Sequence, residues 1–278
     1  MGRFHTATSA DGTRIAYEIH GDGVPLVFIT GATCHRGFLP VRQGAKVMGR
    51  EFAVFSYDRR GRGDSTDTPP WALQREVDDV EAVIDAAGGQ AVLYGHSSGA
   101  VLAFHAAHRL GEKVRGVVLY DASWVADAAG ANAYAPLRAE VDGLLERGRN
   151  GAAIRRFLLG IGMPAVFARL LPLMPGWRHI AALAPTLRYD MELTAAPPPL
   201  DVAAQIRVPV HVMVGERSPE ELHRVARALV EAIPGGTHEV LAGQDHMASE
   251  KLLLPSLRHH LGGPVASGCA APPAAEKR

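Results

Sequence analysis

One pentapeptide constrains this chain more than any other feature: Gly95-His96-Ser97-Ser98-Gly99. A short apolar run, "AVLY", comes directly before it, and a segment with helical spacing, "AVLAFHAAHRLG", comes directly after it. A strand, a sharp turn and a helix in that order would lift the side chain of Ser97 above the edge of a sheet. Glycine is needed on both sides because Cβ atoms would collide in so tight a turn. The pattern predicts an exposed serine nucleophile.

Short continuous apolar runs alternate with helical segments along most of the chain. Runs of this kind suit strands that are buried on both faces of a parallel sheet. The opening segment instead alternates apolar and polar residues around Asp11-Gly12, which predicts a hairpin. We therefore expect an α/β fold, a mostly parallel twisted sheet with helices on both faces. The expected strands are "PLVFIT", "FAVFSYD", "AVLYG", "VRGVVLYD", residues 208–215 and "THEVLAG".

The alternation stops between residues 124 and 200, where Ala, Leu, Arg and Pro dominate. We interpret 124–200 as a helical insertion, a lid or cap over the sheet, and 1–123 with 201–261 as the core domain. Residues 262–278 are rich in Gly, Ala and Pro, which predicts a disordered tail.

The charge balance gives no reason to expect a polyanionic partner, since 29 basic residues face 29 acidic ones. No apolar run approaches the ~18 residues that a membrane span needs, and the polar N-terminus lacks a signal-peptide segment. The two cysteines, Cys34 and Cys269, cannot form a disulfide framework. These features predict a soluble cytoplasmic protein with a small-molecule substrate and neither a nucleic-acid nor a membrane partner.

The order of segments resembles the α/β-hydrolase fold superfamily over residues 4–261. The resemblance rests on the hairpin, "PLVFITGA", "YDRRGRGDS", "GHSSG", "VVLYDAS", the insertion, "VPVHVMVGE" and "GQDH". It is closest in style to lid-bearing esterases, lactonases, ring-cleavage-product hydrolases and cofactor-free haloperoxidases. It implies an α/β-hydrolase fold with a helical lid, and catalytic residues in the chain order nucleophile, acid, histidine. Ser97 matches the nucleophile, and His246 in "LAGQDHMA" matches the histidine.

The resemblance also implies an oxyanion hole built from backbone N–H groups. In the family a His-Gly pair ends the third strand and the next residue donates. Here the pair is Thr30-Gly31, so the donors would be Ala32 and Ser98. The change at Thr30 leaves a backbone donor unaffected.

Several residues are candidates for the substrate pocket. Cys34 and His35 follow the predicted oxyanion loop, and we interpret them as lining residues rather than catalysts. Trp124, Met163 and Phe167 belong to the apolar residues of the insertion and suggest an apolar pocket wall. The same residues are also what short helices need in order to pack on the sheet.

The catalytic acid is the open question in the sequence. Most relatives carry an Asp three residues past the Gly that ends the seventh strand, but here Gly215 leads to Ser218. A serine cannot hold an imidazolium by charge. Asp121, at the end of "VVLYD", is the favoured acid because an adjacent strand end would reach the same histidine. Glu216 and an acid-free Ser–His dyad stay open.

Two further segments have structural interpretations. Ser218 is predicted to be a helix N-cap, with Pro219 at the first helical position and Glu221 completing a capping box. The loop "YDRRGRGDS" is interpreted as paired within itself, with an anion-binding site as the alternative.

Together these features predict a serine hydrolase that cleaves an ester, lactone or related acyl bond in a small, largely apolar molecule. No cofactor and no metal is expected. One alternative keeps the fold but changes the reaction to that of a cyclase, lyase or acyl transferase. A second is a binding or sensing protein with weak turnover, which only Ser218 in the usual acid position suggests.

Overall fold

The computed structural model describes residues 4–174 and 176–262, which fold around an eight-stranded sheet. The strands are β1 (His5–Thr8), β2 (Arg14–His20), β3 (Val24–Ile29), β4 (Phe52–Tyr57), β5 (Ala91–His96), β6 (Val114–Tyr120), β7 (Val210–Gly215) and β8 (Thr237–Leu241). Their order is β1-β2-β4-β3-β5-β6-β7-β8. The pairs β1–β2 and β2–β4 are antiparallel, and the other pairs are parallel. The mostly parallel sheet predicted from the sequence is confirmed.

Helices cover both faces of the sheet, as expected. One face carries α1 (Leu39–Met48) and α11 (Glu250–Leu261), and the other carries α2 (Leu73–Ala86), α3 (Ser98–Leu110) and α10 (Glu220–Ala232). Strand β5 shows how the two cores arise, because successive side chains of a strand point to opposite faces. Leu93 packs in one core, whereas Val92 and Tyr94 pack in the other. The strand is therefore apolar along its whole length.

The chain between β6 and β7 is helical. It forms α4 (Ala128–Glu146), α5 (Asn150–Gly160), α6 (Ala165–Leu170), α7 (Trp177–Ala182), α8 (Leu187–Thr194) and α9 (Leu200–Ala203). This segment has a small core of its own, which includes Val141, Ile154, Phe157 and Leu187. Helix α8 packs against α3, so the insertion lies beside the helix that follows Ser97.

The N-terminal hairpin forms where it was predicted. Gly12 adopts a positive φ of 83° in the turn, and Asp11 Oδ1 accepts a 3.0 Å hydrogen bond from the N–H of Thr13. Among the described helices, none is both long enough and apolar enough to cross a membrane. The tail predicted to be disordered lies, apart from Gly262, outside the described residues.

Candidate active site

Ser97 occupies the turn between β5 and α3, with φ 60° and ψ −126°. Residues with a side chain rarely adopt a positive φ, so the turn is strained. The flanking glycines permit it, because a Cβ at Gly99 would lie 2.2 Å from the carbonyl oxygen of Ile29. A Cβ at Gly95 would lie 2.5 Å from the carbonyl oxygen of Gly99. The glycines thus allow the close approach of strand and helix that raises Ser97 above the sheet edge.

Asp121 directly follows β6 and is 1% exposed. Its Oδ2 accepts hydrogen bonds from His246 Nδ1 at 2.9 Å and Ser218 Oγ at 2.7 Å, and its Oδ1 accepts one from the N–H of Gly215 at 3.1 Å. Burial by itself raises the pKa of Asp121, but the hydrogen bond and charge of His246, with the other donors, hold that pKa below its usual range. The carboxylate therefore stays ionised. Because it can only accept, Nδ1 of His246 carries the proton and Nε2 is left with a lone pair.

Two hydrogen bonds hold the loop that carries His246 between β8 and α11. His96 Nε2–H donates to the His246 carbonyl at 2.7 Å, and the Tyr120 hydroxyl donates to the Asp245 carbonyl at 2.6 Å. The His96 and His246 rings lie 4.8 Å apart between centroids. Burial, followed by the nearness of His246, lowers the pKa of His96 to about 4. His96 is thus neutral at pH 7, and it holds the loop of His246 against the end of β5.

The hydroxyl of Ser97 contacts a residue that sequence reasoning missed. Ser97 Oγ lies 3.1 Å from Ser123 Oγ, and Ser123 donates its own proton to the Asp121 carbonyl at 2.9 Å. Ser97 is therefore the donor to Ser123. Within the described residues no hydrogen bond joins Ser97 to His246, so Oγ must leave Ser123 before it can give its proton to Nε2. The only sequence signal for Ser123 is its place two residues after Asp121.

The two predicted oxyanion donors lie on either side of Ser97. A Cβ at Gly31 would lie 2.8 Å from Ser97 Cβ, so the loop after β3 contacts the turn directly. Arg62 Nη1 donates to the Gly31 carbonyl at 2.7 Å and fixes this loop. In the described part of the chain, the N–H groups of Ala32 and Ser98 donate no backbone hydrogen bond. Both are therefore available to an oxygen that develops charge above Ser97.

The arginines after β4 pair outside their own loop. Arg59 binds Glu76 of α2 at 2.7 Å and Asp190 of α8 at 2.7 Å, and Arg62 binds the other oxygen of Asp190 at 2.7 Å. Asp190 also accepts a 2.7 Å hydrogen bond from Ser98 Oγ. Burial raises the pKa of Asp190, but the two guanidinium groups outweigh this and lower it. The prediction that the charged residues of this loop pair with one another is wrong. The buried guanidinium groups of Arg59 and Arg62 pair instead with carboxylates on α2 and α8.

An apolar cavity lies beside the turn, between α1 and the start of α11. Its lining residues include Phe28, Cys34, Phe38, Tyr94 and Met247. Cys34 is placed on the cavity wall, and burial raises the pKa of its thiol to about 11, which removes it as a nucleophile at neutral pH. His35 lies next to Cys34 in the chain, and its Nδ1 accepts a 3.2 Å hydrogen bond from the N–H of Gly37.

The three pocket candidates that belong to the insertion lie in different surroundings. Trp124 is 4% exposed and packs edge-on against Phe104, with 5.0 Å between ring centroids, in the main core. Phe167 is 44% exposed on α6, a short helix whose buried residue is Ala168. Met163 is half-buried in the turn after α5. Trp124 and Phe167 are therefore not placed as the pocket wall that their hydrophobicity suggested: one fills the core beside α3, and the other faces outward.

Ser218 contacts the acid rather than a helix end. It is 7% exposed, its Oγ donates to Asp121, and the N-cap position of α10 is Pro219. The N-cap prediction is wrong because α10 begins one residue later, at Glu220, and the Ser218 hydroxyl points to the buried carboxylate instead of to the helix N–H groups. Glu216, the alternative acid, is exposed, and its Oε2 accepts a 2.6 Å hydrogen bond from the N–H of Gly243. The carboxylate that contacts His246 is that of Asp121.

Comparison with known proteins agrees with this architecture. The model of the family described as "Alpha/beta hydrolase family" matches residues 19–251. The chain belongs to the alpha/beta hydrolase family. An alpha/beta hydrolase structure from Sphaerobacter thermophilus is 34% identical, with a TM-score of 0.80, and the match covers 92% of this chain and 99% of that one. Among the curated proteins, none matches.

More distant structures share the alpha/beta hydrolase fold. An esterase from Rhodococcus is 20% identical with a TM-score of 0.70, and the match covers 94% of this chain and 98% of that one. An enol-lactonase from Burkholderia xenovorans is 20% identical with a TM-score of 0.66, and the match covers 87% of this chain and 93% of that one. The family match, not these distant structures, makes this alpha/beta hydrolase an enzyme of the hydrolase superfamily. That it needs neither cofactor nor metal stays a prediction.

Proposed function

We propose that this enzyme is a serine hydrolase that cleaves an ester, lactone or related acyl bond in a small, largely apolar molecule. The observation that carries the proposal is the hydrogen bond from His246 Nδ1 to the buried Asp121 carboxylate, formed beside the strained turn that bears Ser97. A nucleophile, a base and a group that orients the base are the three parts that nucleophilic catalysis requires.

The reaction begins with the proton of Ser97. The hydroxyl leaves Ser123, its Oγ attacks the substrate carbonyl, and its proton passes to Nε2 of His246. Asp121 stabilises the imidazolium and keeps it oriented, because its carboxylate accepts from Nδ1. Hydrogen bonds between a catalytic nucleophile and its base are often long when no substrate is bound. The contact of Ser97 with Ser123 therefore suits a resting state of the enzyme.

The tetrahedral intermediate places a negative oxygen above Ser97. The N–H groups of Ala32 and Ser98 are the proposed donors, and the N-terminal end of α3 adds its favourable dipole. Collapse of the intermediate expels the alcohol, which takes the proton from His246. Water then repeats the sequence on the acyl-enzyme, with His246 as the base, and releases the acid.

The cavity beside the turn supports an apolar substrate. Its wall includes Thr30 at the predicted oxyanion loop and the chain neighbours of Ser97 and His246, namely His96 and Met247, although Ser97 and His246 are not among its lining residues. The remaining wall includes the aromatic rings of Phe28 and Phe38. Apolar walls with few polar groups favour an acyl or alcohol portion without charge.

A chain-length series of p-nitrophenyl esters together with a panel of lactones tests the proposal. We expect turnover of at least one member and a loss of at least ~10³ in kcat for Ser97→Ala, since removing a nucleophilic serine disables the whole triad. Ser249→Ala is the matched control, because Ser249 is an exposed serine at the start of α11. A Ser97→Ala protein that hydrolyses the esters as fast as Ser249→Ala would refute the proposal.

The surroundings of Ser218 weigh against the alternative of a binding protein. Ser218 occupies the usual acid position, but its hydroxyl donates to Asp121 and so supports a carboxylate one strand away. No catalytic part is therefore left without a candidate residue.

A further inference from the structure

Three metal-ligating side chains meet near the amino-terminal ends of β7 and β8, far from the carboxyl ends that carry Asp121 and His246. His211 of β7, Glu239 of β8 and His260 of α11 each offer one ligand atom, and these atoms lie within 4.8 Å of one another. His211 Nε2 and Glu239 Oε2 are 3.2 Å apart. The rings of His211 and His260 stack with 3.5 Å between their centroids.

The buried histidine is already oriented as a ligand. His211 is 4% exposed, and its Nδ1 lies 2.8 Å from Thr237 Oγ1. When Nδ1 carries the proton and donates to Thr237, the lone pair of Nε2 faces Glu239. A second hydrogen bond of this kind fixes the ring and tautomer of metal-binding histidines in proteins.

A histidine satisfied by hydrogen bonds alone explains only part of the cluster. Hydrogen bonds account for the contacts of His211 with Thr237 and Glu239, but not for the position of the His260 ring beside them. The rings of His211 and His260 stack with 14° between their planes, so their lone pairs lie in nearly parallel planes and coordination of one ion requires the His260 ring to turn. A tetrahedral ion with bonds of about 2.0–2.1 Å places its ligands ~3.4 Å from one another. Glu239 is 34% exposed and His260 is half-buried, so the carboxylate can shift and the His260 ring can turn about its side-chain bonds.

The geometry points to a zinc-binding site formed by His211, Glu239 and His260, with water as the fourth ligand. Two imidazoles and one carboxylate suit Zn²⁺, whereas Ca²⁺ and Mg²⁺ prefer oxygen ligands throughout. A cleft lined by Val117, Pro209 and other residues adjoins His211 and His260 and gives an ion a path to the site.

The site joins the two elements that flank the His246 loop. Glu239 belongs to β8, His260 belongs to α11, and residues 242–249 connect these elements and carry His246. An ion bound to both would close this segment into a ring. We therefore expect Zn²⁺ to stabilise the fold around the loop without touching the reacting atoms.

Calorimetric titration of chelator-treated protein with ZnCl₂, followed by thermal unfolding, tests the site. The wild type should bind one equivalent and gain about 5 °C in Tm when free Zn²⁺ is ~100 times Kd. His260→Gln and Glu239→Gln should each bind at least ~10-fold more weakly and lose the Tm gain. Both side chains are partly exposed, so both variants are expected to fold, and circular dichroism checks this.

Two controls separate the site from other histidines. His259→Gln removes an exposed neighbour on the same helix and should leave Kd within about twofold of the wild type. His246→Gln should do the same, which distinguishes this site from zinc bound at the catalytic histidine. A wild type that binds no stoichiometric Zn²⁺ overturns the inference, and so do His260→Gln and Glu239→Gln proteins that bind as tightly as His259→Gln.

Discussion

Replacing Asp121 by Asn tests the assignment of the catalytic acid, because the two oxygens of its carboxylate have different hydrogen-bond donors. The N–H of Gly215 donates to Oδ1, so the carbonyl oxygen of an Asn must occupy that position. Its NH₂ group then takes the place of Oδ2 and faces His246 Nδ1 and Ser218 Oγ. An NH₂ group donates, so Nδ1 must accept and the imidazole proton moves to Nε2. His246 can then no longer take the proton of Ser97.

Asp121→Asn should therefore lower kcat by ~10³–10⁴, which corresponds to about 4–5.5 kcal/mol in the activation barrier. KM should change little, because Asp121 is buried behind His246 and does not face the substrate. The assay is steady-state hydrolysis of the best p-nitrophenyl ester from the series above. Glu216→Gln is the matched control, since Glu216 is the alternative acid and is exposed. A larger loss of kcat in Glu216→Gln than in Asp121→Asn would refute the reasoning.

Substitutions at three further positions test other parts of the account. Ser218→Ala removes one of the donors to Asp121, so kcat should fall about three- to tenfold, whereas Ser218→Thr keeps the hydroxyl and should retain most activity. Asp190→Asn leaves the buried guanidinium group of Arg62 without its carboxylate and Arg59 with Glu76 alone, and it should cost about 3–5 kcal/mol in urea unfolding; an unchanged midpoint would contradict this. Burial lowers the pKa of His105 from 6.5 to about 4, so the unfolded chain takes up a proton first as the pH falls. Between pH 7 and 5 the free energy of unfolding should therefore fall by on the order of 1–2 kcal/mol through His105, and His105→Leu should abolish that part of the fall.

The sheet was predictable because its strands are buried on both faces and therefore appear as unbroken apolar runs. The strand "AVLYG" was placed within a residue of the observed Ala91–His96. Helix α1 was missed, although its buried residues, Val41, Gly44, Ala45 and Met48, follow helical spacing. Gly44 weakens this signal, and its own neighbour is distant in the chain, since a Cβ there would lie 2.6 Å from the Glu250 carboxylate of α11. Contacts between distant segments of this kind leave no local pattern.

In the active site, too, local features were predictable from the sequence and contacts between distant segments were not. The turn around Ser97 is local, so its glycines and its neighbouring strand and helix are visible in the sequence. The contact between Asp121 and His246 joins residues 125 positions apart and depends on β6 and β7 being neighbours in the sheet. Ser218 followed a local helix-capping pattern, but its hydroxyl points to the carboxylate that follows another strand, and α10 begins one residue later than that pattern predicts. Asp190 gave no signal, because its partners are arginines that lie 131 and 128 positions earlier.

The central claim is that Ser97 is a nucleophile activated by His246. Incubation of the folded enzyme with a fluorophosphonate, followed by intact-mass and peptide mass spectrometry, measures this directly, because the reagent forms a stable adduct with an activated serine. The account predicts one adduct per chain, located on Ser97, and none on Ser97→Ala. A folded wild-type protein that remains unlabelled, or an adduct at another serine, would contradict it.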